Sequence, residues 1–275
     1  MLKNPGRSRF RRTLGCLVLA AGLLSATIAL AGKPHITLAS TTSTEQSGLF
    51  HHIIPTFTEA TGIEVRVVAV GTGQAFAMAR AGDADALLVH DTTGEKRFIE
   101  DGYGIERREV MYNDFVIIGP SGDPAGIADA ESAIDAMQRI AEAEAAFASR
   151  GDDSGTHRAE LRLWQEAGVE PGSRWYRELG SGMGATLNTA AAMDAYLLSD
   201  RASWLGFRNR QELVLLFEGD EVLFNAYGSV LIDPERHPHL KHDLAGKWHD
   251  WLVSEVGQTA ISEYRIDGEQ VFLPY

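Results

Sequence analysis

Residues 35–44 read HITLASTTST, a short apolar segment followed by five consecutive hydroxyl side chains. The apolar part predicts a buried strand, and the hydroxyl run places a small polar loop directly after it. Five further segments continue the alternation of helix and strand, at residues 47–60, 63–70, 74–81, 86–90 and 95–101. This order is typical of an α/β fold with a parallel sheet, in which ligands bind beyond the carboxyl ends of the strands.

Two long extended segments, residues 109–119 and 222–232, flank the middle of the chain. They predict a bilobal α/β protein in which the two segments cross between the lobes as a hinge and the ligand lies in the cleft. The first lobe would be discontinuous and the second inserted into it, with boundaries at residues 32–115 and 228–275 for the first and 116–227 for the second. Within the second lobe, the pattern predicts a helix over residues 127–147 and a strand over residues 202–207.

The first 31 residues have the features of a secretory signal peptide. Five basic residues occur within the first twelve, residues 14–30 are almost wholly apolar, and Ala29-Leu30-Ala31 is a small-residue cleavage site. We therefore expect export to a bacterial periplasm, with cleavage after Ala31. Cys16 is the only cysteine, so the mature chain would have neither a disulfide nor a thiolate metal site.

The chain carries a formal net charge of −13, and loss of the five basic leader residues would change it to −18. This acidity argues against nucleic acid and anionic membranes as partners. It also opposes the approach of an anionic ligand, so an anion site in this chain must rely on local donors. Beyond the leader, no apolar run reaches the length of about 20 residues needed to span a bilayer.

Residues 149–156, SRGDDSGT, combine a cation, glycines and hydroxyls just where a helix is predicted to begin. Helix N-termini have unpaired N–H groups and attract anions. Arg150 adds a planar fork of donors that fits an oxyanion in bidentate fashion, and Asp152 is close enough to orient it. The further donors in this segment would be Ser154, Gly155 and Thr156. The segment predicts one half of a cage for a small tetrahedral oxyanion, and the alternative is a capped helix beside a surface ion pair.

The other half of the cage is predicted from the loops that follow the first three strands. The candidate contacts there are Ser40, Thr41, Thr42 and Thr72. Thr72 lies between two glycines, which allow close approach of the backbone, whereas the hydroxyl run could serve only to cap the next helix. We predict that His90 and Asp152 lie behind the residues that contact the anion. His90 could instead donate to the anion or orient a loop. Asp91 could accept a ligand proton or cap the turn that follows it.

Four motifs together resemble the periplasmic tungstate-binding components of ABC transporters. They are STTST at residues 40–44, LVHD at 88–91, SRGDDSGT at 149–156 and ATLNT at 185–189. The resemblance covers nearly all the mature chain and implies a type II periplasmic binding protein fold, tungstate as ligand, and a membrane permease with its ATPase subunit as partners. The Arg-x-Asp-x-Ser-Gly-Thr spacing also resembles phosphate-binding proteins, so phosphate is the alternative ligand, and the choice between tungstate and molybdate stays open.

A hydrolase of phosphate or sulfate esters is the alternative from another class. Asp153, Ser154 and His157 could be imagined as a nucleophile group, but three residues so close in sequence cannot easily converge as a base relay. The chain contains no His-Glu-x-x-His motif, and Ser154 does not lie in a Gly-x-Ser-x-Gly motif. We therefore predict a monomeric binding protein with no catalytic residue, no bound metal ion and no cofactor other than its oxyanion ligand.

Overall fold

The strand that begins the sheet lies between two parallel neighbours. Strand β1 (His35–Thr41) pairs with β2 (Glu64–Val70) on one side and with β3 (Ala86–Val89) on the other. Near the end of β1, Ser40 lies opposite Leu88 of β3. The polar loops that follow the three strands therefore open at the same edge of the sheet, as the strand and helix order predicts.

The computed structural model describes Met1, residues 33–172 and residues 174–275. The chain divides into two units, Met1–Lys33 and Pro34–Tyr275, and the helices and strands of the described residues belong to the second. The predicted signal peptide and its cleavage site lie outside the described residues. No helix in the described part of the chain is long and apolar enough to cross a membrane.

The described chain contains nine further strands and ten helices of the α type. The strands are β4 (Gly104–Pro120), β5 (Phe147–Ser149), β6 (Tyr176–Glu178), β7 (Leu197–Asp200), β8 (Leu213–Phe217), β9 (Phe224–Ile232), β10 (Arg265–Ile266), β11 (Glu269–Gln270) and β12 (Leu273–Pro274). The helices are α1 (Thr42–Gln46), α2 (Leu49–Thr61), α3 (Thr72–Ala81), α4 (Thr92–Glu100), α5 (Ala133–Glu142), α6 (Gly155–Glu166), α7 (Met183–Met193), α8 (Arg201–Gly206), α9 (His242–Leu252) and α10 (Glu255–Glu263).

The long strand β4 connects the two parts of the main sheet. The strand order is β12-β4-β9-β3-β1-β2, and β4 also pairs with β7 and β8. Strands β4 and β9 are antiparallel and place Asn113 opposite Asn225. From Phe115 onward, β4 pairs with β7 and β8 instead of β9. The same strand therefore belongs to both parts of the sheet, and the sequence predicts a crossing segment in this region.

Buried apolar side chains form clusters on both parts of the sheet. One cluster contains Phe57 and Trp248 and draws on residues 36–111 and 227–272, joined by two residues of α8. Others, around Phe147 and Trp164 and around the apolar face of α7, draw on residues within 115–223. The predicted lobe boundaries, after residues 115 and 227, fall near the change from one set to the other, and the division into lobes stays a prediction.

Two secondary-structure predictions were wrong. Residues 202–206 belong to helix α8 and do not form a strand, because Asp200 caps the N-terminus of this helix by accepting a hydrogen bond from the Ser203 amide at 2.9 Å. A short apolar run fits both the helical and the strand periodicity, so the N-cap is the signal that distinguishes a helix from a strand here. Residues 127–147 do not form one helix either. They contain a single 3₁₀ turn, helix α5 capped by Ser132, and the first residue of β5.

Candidate functional site

Arg150 is a buried cation with only part of its hydrogen-bonding capacity used. The buried strand β5 leads directly into it, and its side chain is 2% exposed. Its Nε and Nη2 donate to Asp152 Oδ2 at 3.2 and 2.6 Å, which fixes one edge of the guanidinium. Its Nη1 is buried and has no hydrogen-bond partner among the described residues. Since an unpaired buried donor is costly, this edge is suited to receive an acceptor from a ligand.

Asp152 is held ionised beside Arg150. Burial would raise the pKa of Asp152, but hydrogen bonds from Arg150 and Ser154 outweigh it, so the pKa lies below the usual value. Its Oδ1 also accepts a hydrogen bond from the Ser154 amide at 3.2 Å. Asp152 therefore orients Arg150 and ties it to the start of α6, which is the role the sequence predicts for it.

The N-terminus of α6 presents hydroxyls that keep a donor available. Ser154 Oγ accepts from the His157 amide at 3.3 Å, as an N-cap does, and its own proton is not used by that bond. The Gly155 amide donates to Thr72 Oγ1 at 3.0 Å, so this amide is already occupied. Thr156 Oγ1 is fully buried and lacks a partner in the described chain. Thr72 and Thr156 are thus a second and third hydroxyl at the start of α6 that can donate.

Most hydroxyls of residues 40–44 already have hydrogen-bond partners within the protein. Ser40 Oγ donates to the Leu88 carbonyl at 2.6 Å, which commits its proton to the sheet. Thr41 Oγ1 lies 2.7 Å from Thr44 Oγ1 and accepts from the Thr44 amide at 3.3 Å, so it caps α1. Thr42 is half-buried and lines a cleft. The capping role weighed as an alternative is thus present in Thr41.

One cleft brings the predicted loops together. It has a volume of about 600 Å³, and its lining includes Thr42, Gly73, Asp152 and Gly180. Thr42 and Gly73 lie in the first turns of the helices after β1 and β2, and Asp152 and Gly180 lie in the loops after β5 and β6, so the cleft touches both halves of the predicted cage. Ser40, Thr41 and Arg150 are themselves buried and are not part of the lining of this cleft. Which hydroxyls contact a bound anion stays a prediction.

A close approach joins the loop after β3 to α6. A Cβ atom added to Gly155 would lie 2.7 Å from His90 Cε1, a distance that real Cβ atoms essentially never show. Glycine is therefore required at this position by space, independently of any helix preference. The close packing places His90 directly against the first turn of α6, where the Arg150 segment ends.

His90 is a neutral ring held in a buried amide network. Burial lowers the pKa of His90, although nearby Asp200 and a hydrogen bond with Asn225 act in the other direction. Asn225 donates through Nδ2 to Asn113 Oδ1 at 2.6 Å, so its Oδ1 faces His90 Nδ1 at 3.1 Å. This arrangement makes Nδ1 the protonated nitrogen and leaves Nε2, 3.2 Å from Ser43 Oγ, as an acceptor. His90 therefore orients the loop and has no spare N–H for an anion.

The amide network contains residues that the sequence analysis missed. Asn113 and Asn225 lie opposite each other on β4 and β9, and Tyr227 stacks on His90 with ring centroids 4.8 Å apart. Asn113 Nδ2 is another buried donor without a partner in the described part of the chain. The available signal was an asparagine inside each of two long strands, a residue type that is depleted in strands.

Asp91 is not a free carboxylate. Its Oδ1 caps α4 by accepting from the Gly94 amide at 3.2 Å, and its Oδ2 accepts from Arg158 Nη1 at 2.6 Å. Arg158 also donates to both carboxylate oxygens of Asp153 at 2.9 Å. Asp91 is thus neutralised by a cation and used in a helix cap, which leaves it poorly placed to accept a proton from a ligand.

Comparisons with known proteins show which family this chain belongs to. The model of the PBP superfamily domain matches residues 29–256. The tungstate-binding protein TupA of Peptoclostridium acidaminophilum is 42% identical over 246 residues, which cover 88% of this chain and 86% of the relative. The solved structure of the tungstate-binding protein TupA from Desulfovibrio alaskensis G20 is 41% identical with a TM-score of 0.78, covering 88% of this chain and 99% of that one. A solved structure of the tungstate ABC transporter from Geobacter sulfurreducens is 45% identical with a TM-score of 0.78, covering 84% and 98%.

Proposed function

This chain belongs to the PBP superfamily and, within it, to the family of the TupA tungstate-binding proteins, and from that membership we propose that it captures tungstate outside the cytoplasm and delivers it to an ABC transporter. Its relatives include two tungstate-binding proteins named TupA and a solved structure described as a tungstate ABC transporter. The permease and its ATPase subunit are accordingly the proposed partners. Export with cleavage after Ala31, which the leader sequence predicts, belongs to the same proposal.

The observation that carries the proposal is the half-satisfied guanidinium of Arg150. A buried cation with a free Nη1 beside uncharged donors suits an anion that carries full charge and no proton. Tungstate near neutral pH is such a dianion. Hydroxyls that already accept a hydrogen bond, as Thr72 and Ser154 do, can still donate their own proton to its oxygens.

Capture is proposed to use one charge and several neutral donors. Arg150 would supply the charge, and the hydroxyls of Thr72, Ser154 and Thr156 would supply neutral donors around it. Each charge-assisted hydrogen bond contributes roughly 1.5–3 kcal/mol, so several of them can offset desolvation and reach the roughly −12 kcal/mol of a nanomolar complex. The strongly acidic chain gives no general attraction to the ligand, which makes these local donors decisive.

Phosphate remains the second candidate because of one carboxylate. Asp200 Oδ2 is buried and has no partner among the residues described, and the charge of Asp200 acts on the pKa of His90. A protonated phosphate needs such an acceptor, whereas a carboxylate in contact with tungstate would repel it. Asp91, the acceptor weighed from the sequence, is already paired with Arg158.

Parallel calorimetric titrations of the exported protein test the proposal. We expect one saturable site for tungstate, with phosphate and sulfate at least a hundredfold weaker. Asp200→Asn should leave tungstate binding intact, whereas a phosphate-binding protein would lose affinity for protonated phosphate. Stoichiometric phosphate binding tighter than tungstate binding would overturn the tungstate assignment, and turnover of a chromogenic phosphate ester would overturn the assignment to a binding protein.

A further inference from the structure

A second cleft of about 580 Å³ lies apart from Arg150 and is lined by arginines. Its guanidinium groups belong to Arg80, Arg97, Arg158 and Arg236. The carboxylate in its lining is that of Asp101, and Gly73 is the residue that it shares with the cleft beside Asp152. In a chain with a formal net charge of −13, so many cations around one opening need a separate explanation.

Aromatic rings hold two of these arginines in place. The guanidinium carbon of Arg80 lies 5.5 Å from the ring centroids of Phe98 and Tyr103, and that of Arg236 lies 4.1 Å from the centroid of Tyr103. A guanidinium that packs on a ring keeps its N–H edge available for an oxyanion. The arginines are therefore partly ordered before any ligand arrives, which lowers the entropy lost on binding.

The arginines are only loosely neutralised by their own chain. Asp101 Oδ2 lies 3.9 Å from Arg80 Nη2 and 3.8 Å from Arg97 Nε, both longer than a hydrogen bond. These are exposed pairs, which contribute little to stability and can be replaced by a ligand. Within the described chain Arg236 forms no ion pair. Arg158 differs, because Asp91 and Asp153 already occupy its donors, so it forms a wall of the cleft.

We propose that this arginine cleft is a second anion site, which binds small molecules with two or more phosphate-type oxyanion groups. Arg80, Arg97 and Arg236 would each hold an oxyanion, and Tyr103 would support the arginines from below. The cleft falls within the size range of sites for small organic ligands and is larger than a single tetrahedral ion requires. The proposal does not depend on tungstate as the ligand of the Arg150 cleft.

Titration with inorganic pyrophosphate tests this site. The wild-type chain at low ionic strength should show one saturable event, with the same affinity in the presence and absence of excess tungstate. The double variant Arg97→Ala/Arg236→Ala should bind pyrophosphate at least tenfold more weakly while keeping its affinity for tungstate. The matched control is Arg66→Ala/Arg208→Ala, which removes the same charge from two exposed, ion-paired arginines outside the cleft, and it should change pyrophosphate affinity less than twofold.

Each of the following results would overturn the arginine-cleft proposal. Absence of saturable pyrophosphate binding to the wild-type chain would remove the site. Equal losses in the two double variants would show a general charge effect. Competition between tungstate and pyrophosphate would place both in the Arg150 cleft. If the variant at Arg97 and Arg236 impaired uptake by cells while no pyrophosphate bound, the cleft would instead serve an acidic surface of a protein partner, and the small-molecule proposal would be wrong.

Discussion

The loops at residues 149–156 and 40–44 both lead from a strand into a helix, yet they complete their hydrogen bonds differently. In the first, Arg150 Nη1 and Thr156 Oγ1 are buried without partners in the described structure. In the second, Ser40 donates to the sheet and Thr41 bonds to Ser43 and Thr44. The number of hydroxyls in a loop therefore does not by itself show how many polar atoms lack a partner. The loop at residues 149–156 is the one expected to change most when an anion binds, and the segment at residues 40–44 forms a rigid support for it.

The largest expected effect comes from Arg150→Ala. This substitution removes the only charged donor of the proposed contacts, and it should weaken tungstate binding by about 3–5 kcal/mol, by analogy with breaking a buried ion pair. Arg150→Lys should recover part of the loss, because it restores the charge without the fork. Calorimetry measures both, with Arg208→Ala as an exposed-arginine control. Wild-type affinity in Arg150→Ala would reduce this segment to a capped helix.

The second largest effect concerns stability and comes from Glu160, on the helix that follows the Arg150 loop. Burial raises the pKa of Glu160 to about 7, although Tyr176 and Trp164 donate hydrogen bonds to it. The native chain therefore holds this proton better than the unfolded chain, and the stabilisation present at low pH is lost as the pH rises through 7. A rise of this size corresponds to about 3 kcal/mol.

Chemical denaturation at pH 5 and pH 8 measures this difference. The wild-type chain should lose unfolding free energy between the two values, and Glu160→Gln should lose about 3 kcal/mol less, since glutamine does not ionise. Identical pH dependence in the two proteins would mean that Glu160 is ionised in the fold throughout this range.

A pair of isosteric substitutions should separate the two loops directly. Thr156→Val removes a hydroxyl with no partner, so it should weaken tungstate binding by about 1–3 kcal/mol and leave the melting temperature unchanged or higher. Thr41→Val removes a helix cap, so it should lower stability by about 0.5–2 kcal/mol. Calorimetric binding and thermal unfolding of both variants provide the check. If Thr41→Val affects binding more than Thr156→Val, the contrast between the loops is reversed.

The smallest effect should be that of pH on binding. Burial lowers the pKa of His90, which acts against a charged ring, and the proposed donors do not titrate between pH 6 and pH 8. Tungstate affinity measured at pH 6, 7 and 8 should vary less than about twofold. A tenfold fall towards pH 8 would identify a charged His90 as a donor to the anion.

The sequence predicts the half of the site that is local in the chain and misses the half built by pairing. The Arg150 segment contains its own charge, orienting carboxylate and helix start within eight residues, so its spacing is enough to predict it as a candidate. Asn113 and Asn225 are far apart in sequence and meet only through the register of β4 and β9. Strand register depends on tertiary packing, which no local pattern specifies. The alternation of strands and helices from β1 to β3 follows from local sequence patterns and was therefore predictable. Helix α8 was not, because its short apolar run fits either a strand or a helix.

The contact between Gly155 and His90 means that the size of residue 155 determines how closely the first turn of α6 approaches the loop after β3. Because a single methyl group has no room there, Gly155→Ala would push the first turn of α6 away from the loop after β3 and break the Gly155–Thr72 hydrogen bond without altering any charge. Larger side chains would widen the gap in steps. A graded set of such variants, each with a fluorophore on either side of the contact, would calibrate a fluorescence measurement of how far the two segments move when the ligand enters.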